Sequence, residues 1–161
     1  GGEKATGPVA ERSGDAEALA KDKQKAELKP GAPALTASAL VSAGDAICGR
    51  SQEAFKAATA RFPEGENEPD PEYSAELNKI STRAVAEFND LTPPPNLSRA
   101  FKAYVKAQER VHLYDEQALK AAAKDHLASY LKAREKRDDG VEERHQLAQA
   151  VGFEVCSANT G

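Results

Sequence analysis

Apolar side chains recur every three or four residues in four separate segments of the chain, a spacing that places them on one face of an α-helix. Residues that favour strands are scarce, whereas alanine, the best helix former, is abundant. The pattern therefore predicts an all-α protein, an antiparallel up-down-up-down four-helix bundle within a domain of residues 35–157. The predicted helices span residues 36–62, 71–91, 97–123 and 126–151.

Capping residues and prolines set the predicted helix boundaries. Thr36 is a suitable N-cap for the first helix, and Asp70 caps the second, with Pro71 in the first turn, where its missing N–H costs nothing. The prolines at 93–95 end the second helix, because each restrains the preceding residue to extended geometry. Asp125 is the predicted N-cap of the fourth helix, whose expected core residues are Leu127, Leu131, Val141, Ala148 and Val151.

Residues 1–34 have a different composition, rich in glycine, proline and charged residues and nearly free of large apolar side chains. Ordering such a segment buries too little apolar surface to offset the lost conformational entropy. It is predicted to be a flexible tether. Its six basic and six acidic residues cancel, so it offers no polybasic patch for a membrane surface.

The charge and hydropathy of the whole chain limit its partners. The formal net charge is −4 at pH 7, which gives no basic surface for nucleic acid. No apolar run approaches the roughly 18 residues that a membrane span requires. We therefore expect neither a nucleic-acid partner nor a membrane-spanning helix.

The two cysteines, Cys48 and Cys156, are far apart and lack the spacing of a metal or redox motif, so they are predicted to form a disulfide. In the predicted topology the end of the fourth helix lies beside the first, which brings Cys156 towards Cys48. The chain has no methionine and begins with Gly-Gly-Glu in a polar stretch, as chains do after signal-peptide removal. These features favour an extracytoplasmic protein.

Several stretches resemble small secreted helical lipoproteins of actinobacteria, which are largely of unknown function. They are Leu-Thr at 35–36, Asp-Ala-Ile-Cys at 45–48, Leu-x-Pro-Pro at 91–94 and Ala-Val-Gly-Phe-x-Val-Cys at 150–156. The resemblance covers residues 35–156. It implies export, a disulfide and a lipid anchor on a cysteine that would precede Gly1, but it implies no reaction.

A doubled Glu-x-x-His motif is the one pattern that suggests a metal. Glu109-x-x-His112 and Glu142-x-x-His145 have the spacing with which di-iron bundles bind their metals. With the predicted reversal between the helices, however, the two histidines differ by about 12 Å along the bundle axis, too far for one site. No catalytic residue, metal ligand or cofactor is assigned. A bundle that carries a metal or haem on histidine ligands remains the alternative function.

A polar layer is predicted inside the bundle, formed by His112, Asp115, Arg134 and Arg137, with Gln108 and Asp138 also at core positions. Asp115 and Arg134 lie at equal distances from the predicted reversal, so they are expected to form an ion pair. This pair could serve only to set the helix register. Alternatively, Arg134 and His112 could border a cleft for a small anionic ligand, because guanidinium offers paired donors to a carboxylate or phosphate.

The sequence therefore favours a non-enzymatic, extracytoplasmic helical module that binds or interacts with an unidentified ligand. Its expected partner is an envelope protein or a small ligand, and any membrane contact would be through the N-terminal lipid anchor. The protein is expected to be a monomer.

Overall fold

The computed structural model describes residues 33–158 of the 161-residue chain. Its helices are α1 Ala37–Arg61, α2 Pro71–Asn89, α3 Ser98–Ala123 and α4 Leu127–Val151, with a 3₁₀ turn, Pro95–Leu97, before α3. The described residues contain no β-strand, and the predicted four-helix bundle is confirmed. Each helix begins and ends within two residues of its predicted bounds. Most of the predicted tether, residues 1–32, lies outside the described residues.

Side-chain pairs show that α3 and α4 run antiparallel. Gln108 bonds to Arg144 at 3.0 Å and Asp115 bonds to Arg137 at 2.6 Å, so positions rise along one helix as they fall along the other. The helix α2 packs against both α1 and α3. The chain therefore goes up, down, up and down around one interior.

The helix ends follow the predicted capping chemistry at most positions. The Thr36 hydroxyl accepts a backbone N–H at 3.0 Å, and the Asp70 carboxylate accepts two, at 3.0 and 3.1 Å. Gly152 ends α4 in the left-handed conformation, with φ of 103°. The prediction for Asp125 was wrong: it has φ of 53°, and His126 occupies the N-cap position. The short connection needs a left-handed residue to reverse the chain, and Asp tolerates that conformation better than most residues.

The apolar core is divided into separate clusters along the bundle. The largest surrounds Phe88, Tyr104 and Phe153 at the end where α4 finishes. Smaller clusters around Tyr73 and Tyr130 occupy the other end. Between them the buried face carries the polar side chains Ser81, Gln108, Asp115 and Arg137, while buried Ser74 and Arg134 lie beside the two smaller clusters. The middle of this bundle is therefore polar.

The predicted core face of α4 was wrong in its first half. Leu131 is 42% exposed and Leu127, in the first turn, is 51% exposed. The buried face of α4 passes instead through Tyr130 and Arg137. Each residue of a helix is rotated by about 100° from the one before it, so Leu131, which follows Tyr130, lies off that face. Asp138 is consequently exposed too. Tyr130 takes the inward position because its ring packs against small α3 residues while its hydroxyl donates to the Gly65 carbonyl.

The chain turns back after Gly152, and Cys156 forms the predicted disulfide with Cys48, with 5.2 Å between the two Cα atoms. The ring of Phe153 enters the large apolar cluster beside α1. The prediction that the tail returns along α1 is thus confirmed. None of the helices among the described residues is long and apolar enough to span a bilayer.

Candidate functional site

The residues of the predicted polar layer have different surroundings. Asp115, Arg134 and Arg137 are buried, with 1%, 7% and 6% of their surface exposed. His112 is only half-buried, and its Nδ1 lies 2.9 Å from the Ser81 hydroxyl at the α2–α3 contact. The layer is therefore centred on the two arginines and the aspartate.

The predicted ion pair between Asp115 and Arg134 was wrong, because Asp115 accepts its hydrogen bond from Arg137, with Nε to Oδ1 at 2.6 Å. Side chains on a helix point towards its N-terminus. In an antiparallel pair, the carboxylate of Asp115 therefore points away from the reversal, while an α4 arginine reaches back towards it. The arginine that meets Asp115 must start one turn further from the reversal, and that residue is Arg137.

Arg134 belongs to the other end of the bundle. Its guanidinium lies over the Tyr73 ring, 5.5 Å from the centroid, and its Nη2 atom is 3.9 Å from a Glu66 oxygen. Its Nε and Nη1 atoms are buried without a hydrogen-bond partner in the described part of the chain. Arg134 and His112 thus have different neighbours, and the structure does not bring them together as an anion cleft.

A small cavity lies between the apolar clusters, with side chains from all four helices in its wall. Its volume is about 30 Å³, and it is partly open to solvent. The wall combines polar groups with apolar side chains and the disulfide; its residues are Cys48, Ser51, Gln52, Phe55, Ile80, Ser81, Ala84, Phe88, Gln108, Val111, Arg137, Arg144 and Cys156.

Two polar side chains of this wall have donors without a described acceptor. Arg137 donates its Nε–H to Asp115, and its terminal Nη groups donate to no acceptor within residues 33–158. Gln108 accepts from Arg144 through Oε1, at 3.0 Å, and its amide N–H₂ also has no described acceptor. No Asp or Glu is among the described residues of the wall. The cavity is thus suited to a group that accepts hydrogen bonds.

Burial and neighbouring charges shape the electrostatics around the cavity. Burial lowers the pKa of the Arg144 guanidinium; Tyr104 opposes that shift, and the positive charge of Arg137 adds to it. Burial also raises the pKa of Tyr104 to about 12, so its phenol is neutral at physiological pH. That phenol lies 3.3 Å from the Cys48 sulfur. The site is therefore positively charged and only partly open to solvent.

The two Glu-x-x-His motifs do not form a metal centre in the described structure. No group of three or more His, Cys, Asp or Glu side chains among residues 33–158 lies close enough to hold a metal ion. His145 is buried in α4, where burial lowers its pKa and the charge of Arg144 lowers it further. His112 faces Ser81 and Glu116 instead.

Arg144 and Gln52 are wall residues that the sequence reasoning did not identify. A signal for Arg144 was present, because it lies seven residues after Arg137 and therefore on the same face of α4. No comparable signal marked Gln52, since amide side chains are common at half-buried helix positions.

Comparison of the chain with protein-family models, with curated proteins and with solved structures finds no match in any of the three. The resemblance to secreted actinobacterial lipoproteins therefore stays a prediction. What the protein binds has to be inferred from Arg137 and the cavity around it.

Proposed function

We propose that the protein is a non-enzymatic, extracytoplasmic binding module that holds a small anion inside its helical bundle. The observation that carries this proposal is Arg137, a buried arginine with terminal donors that have no described acceptor in a cavity wall without carboxylates. These donors are not among the buried polar atoms without a partner in residues 33–158, so they reach the solvent that enters the partly open cavity. An anion in the cavity would replace that solvent and accept charge-assisted hydrogen bonds from Arg137.

The size of the cavity limits the ligand. One water molecule needs about 10–15 Å³ of such volume, so a cavity of about 30 Å³ has room for roughly two. A halide or a formate-sized carboxylate fits this space, whereas a sugar phosphate or a fatty acid does not. We assign a compact monovalent anion as the ligand.

Arg137 is held in place by contacts on two sides. Asp115 accepts from Nε, and the ring of Phe55 lies under the guanidinium at 5.2 Å from its centroid. These contacts fix the plane of the guanidinium and direct its unused donors. Asp115 is thus a positioning residue, and the anion would complete the set of partners.

Support for an extracytoplasmic location comes from the disulfide, because such bonds persist in oxidising compartments. In this proposal the module works as a monomer, anchored through the N-terminal lipid that the resemblance implies, and it takes its ligand from outside the cell. The expected partner is an envelope protein that recognises the anion-bound form. No observation in the described residues favours the metal or haem alternative.

The first test is a bromide soak of crystals, since bromide replaces chloride and is located by its anomalous scattering. We expect one bromide within hydrogen-bond distance of the Arg137 Nη atoms. The second test compares melting temperatures in chloride and gluconate at one ionic strength. A rise of about 4 °C is expected when chloride reaches ten times its dissociation constant.

The variant for both tests is Asp115→Asn/Arg137→Gln, because removal of Arg137 alone would leave a buried charge at a cost of about 3–5 kcal/mol. This variant should lose the bromide and the chloride-dependent rise. Lys136→Gln removes an exposed charge next to Arg137 and is the matched control, which should keep both. An equal chloride effect in all three proteins, with no ordered bromide, would refute the proposed function.

A further inference from the structure

The chain after α4 forms a hook, residues 153–156, that α1 holds by its side chains. The Asp45 carboxylate accepts the backbone N–H groups of Glu154, Val155 and Cys156, at distances between 2.9 and 3.1 Å. Gln52 donates to the Val155 carbonyl at 3.0 Å. Three successive backbone donors on one carboxylate are charge-assisted bonds, which are stronger than neutral ones.

The hook also forms part of the cavity wall. Cys156 lines the cavity together with its partner Cys48 and with Gln52, the residue that binds the hook. The wall at this end is therefore a short segment that Phe153 anchors in the apolar core and that the disulfide and a few hydrogen bonds attach to α1. A helix wall could open only by separating packed helices, whereas residues 154–156 could move away while Phe153 stays in place.

We propose that the hook is the gate of the anion cavity and that the disulfide keeps it closed. This inference rests on the proposed function, because it names the segment that controls how fast that anion enters and leaves the partly open cavity. Reduction by a dithiol transfers two electrons and two protons to the bond, giving two thiols and an oxidised dithiol. The hydrogen bonds to Asp45 and Gln52 and the packing of Phe153 then hold the hook, and residues 154–156 open more often. The oxidised protein exchanges its anion slowly, and the reduced protein exchanges it faster.

The experiment measures the dissociation rate of ¹³C-formate by exchange NMR. In oxidised protein the dissociation rate should be slow. Dithiothreitol, or the variant Cys48→Ser/Cys156→Ser, should raise this rate about tenfold or more. Asp45→Asn keeps the disulfide and weakens only the three backbone bonds, so it should raise the rate by a smaller factor. This second variant tests the gate even if the cysteine variant fails to fold.

Asp70→Ala is the matched control, because it removes the cap of α2 and lowers stability without touching the hook. Its exchange rate should equal that of the unmodified protein. An equal increase of the exchange rate in Asp70→Ala would show that the effect comes from lower overall stability, and it would refute the proposed gate. Formate that binds the oxidised protein but exchanges at one rate in every variant would also overturn it. Absence of formate binding to the oxidised protein would instead refute the proposed function itself.

Discussion

Two glycines of α1 have opposite roles, although both weaken a helix on propensity alone. At Gly44 a Cβ atom would overlap the ring of Phe153, whereas at Gly49 nothing lies within 4 Å of the added atom. Gly44 is therefore required for the close approach of the Phe153 ring to the helix. Gly49 has no such neighbour.

We expect Gly49→Ala to stabilise the protein by about 0.5–1 kcal/mol, the usual gain in helix propensity. Gly44→Ala should destabilise it by roughly 1–2 kcal/mol, because overpacking of about 1–3 kcal/mol exceeds that gain. The free energy of unfolding in urea measures both variants under the same conditions. If the two substitutions changed it with the same sign, Phe153 would not pack on Gly44 in solution.

At the level of elements, the side-chain pairs of the polar layer show which residues of α3 and α4 lie opposite each other. Two side-chain pairs of this contact, Gln108 with Arg144 and Asp115 with Arg137, lie two helical turns apart along the same interface. A shift of α4 by one turn would bring Arg134 to Asp115 instead. The ion pair therefore distinguishes the observed register from its nearest competitor.

A double-mutant cycle tests this register. Asp115→Asn and Arg137→Gln should show a coupling of about 1–3 kcal/mol, as residues in one buried hydrogen-bonded pair do. Asp115→Asn and Arg134→Gln should be additive to within about 0.5 kcal/mol, because the two side chains have different partners. The opposite pattern of couplings would restore the pairing predicted from the sequence. Unfolding free energies of the single and double variants supply the measurement.

For the molecule as a whole, the charges are divided between the surface and the interior. The net charge is −4, yet among residues 33–158 the buried basic side chains are Arg134, Arg137 and His145, against one buried carboxylate, Asp115. The interior is therefore sensitive to any further positive charge. His145 is the buried group that gains one in mildly acidic solution.

The folded-state pKa of His145 lies below its ordinary value of 6.5, because burial and then the charge of Arg144 disfavour the imidazolium. As the pH falls below about 6.5, the unfolded chain binds a proton that the folded protein resists, so stability decreases. The loss stops below the folded-state pKa, and above about pH 7 this residue adds no pH dependence. His145→Gln should reduce the decrease in unfolding free energy between pH 7.5 and pH 5.5.

The matched control for this pH dependence is His126→Gln, a change at an exposed histidine at the start of α4. Its unfolding free energy should fall with pH as steeply as that of the unmodified protein. Identical pH profiles for the His145 variant and the unmodified protein would mean that His145 is not desolvated in the folded state. Carboxylates contribute to all three profiles equally and cancel in the comparison.

The disulfide joins the two ends of the described fold. Its cysteines are 108 residues apart, and the chain-entropy model assigns a loop of that length about 4–5 kcal/mol of stabilisation. That contribution is large for a bundle whose interior is polar in the middle. The same bond lines the cavity, so under the proposed function stability and ligand retention would depend on one covalent link.

The sequence by itself determined the helices, their order and the disulfide. Each of these depends on features that are visible in the sequence: apolar spacing, the Asp70 and Thr36 caps, the prolines after α2 and the single pair of cysteines. The sequence also indicated that Asp115, Arg134 and Arg137 lie on inward faces, and all three are buried. These properties require only the period of a helix.

Only the tertiary structure decided which of these residues meet. The rotation of α4 about its axis depends on whether Tyr130 or Leu131 faces small α3 residues. The two arrangements differ by about 100°, and apolar spacing alone does not distinguish them. The partner of Asp115 depends on the direction in which two antiparallel side chains lean. The cavity depends on both, because its wall takes side chains from four helices and the hook. Contacts between distant segments set these features, and a pattern along one segment does not encode them.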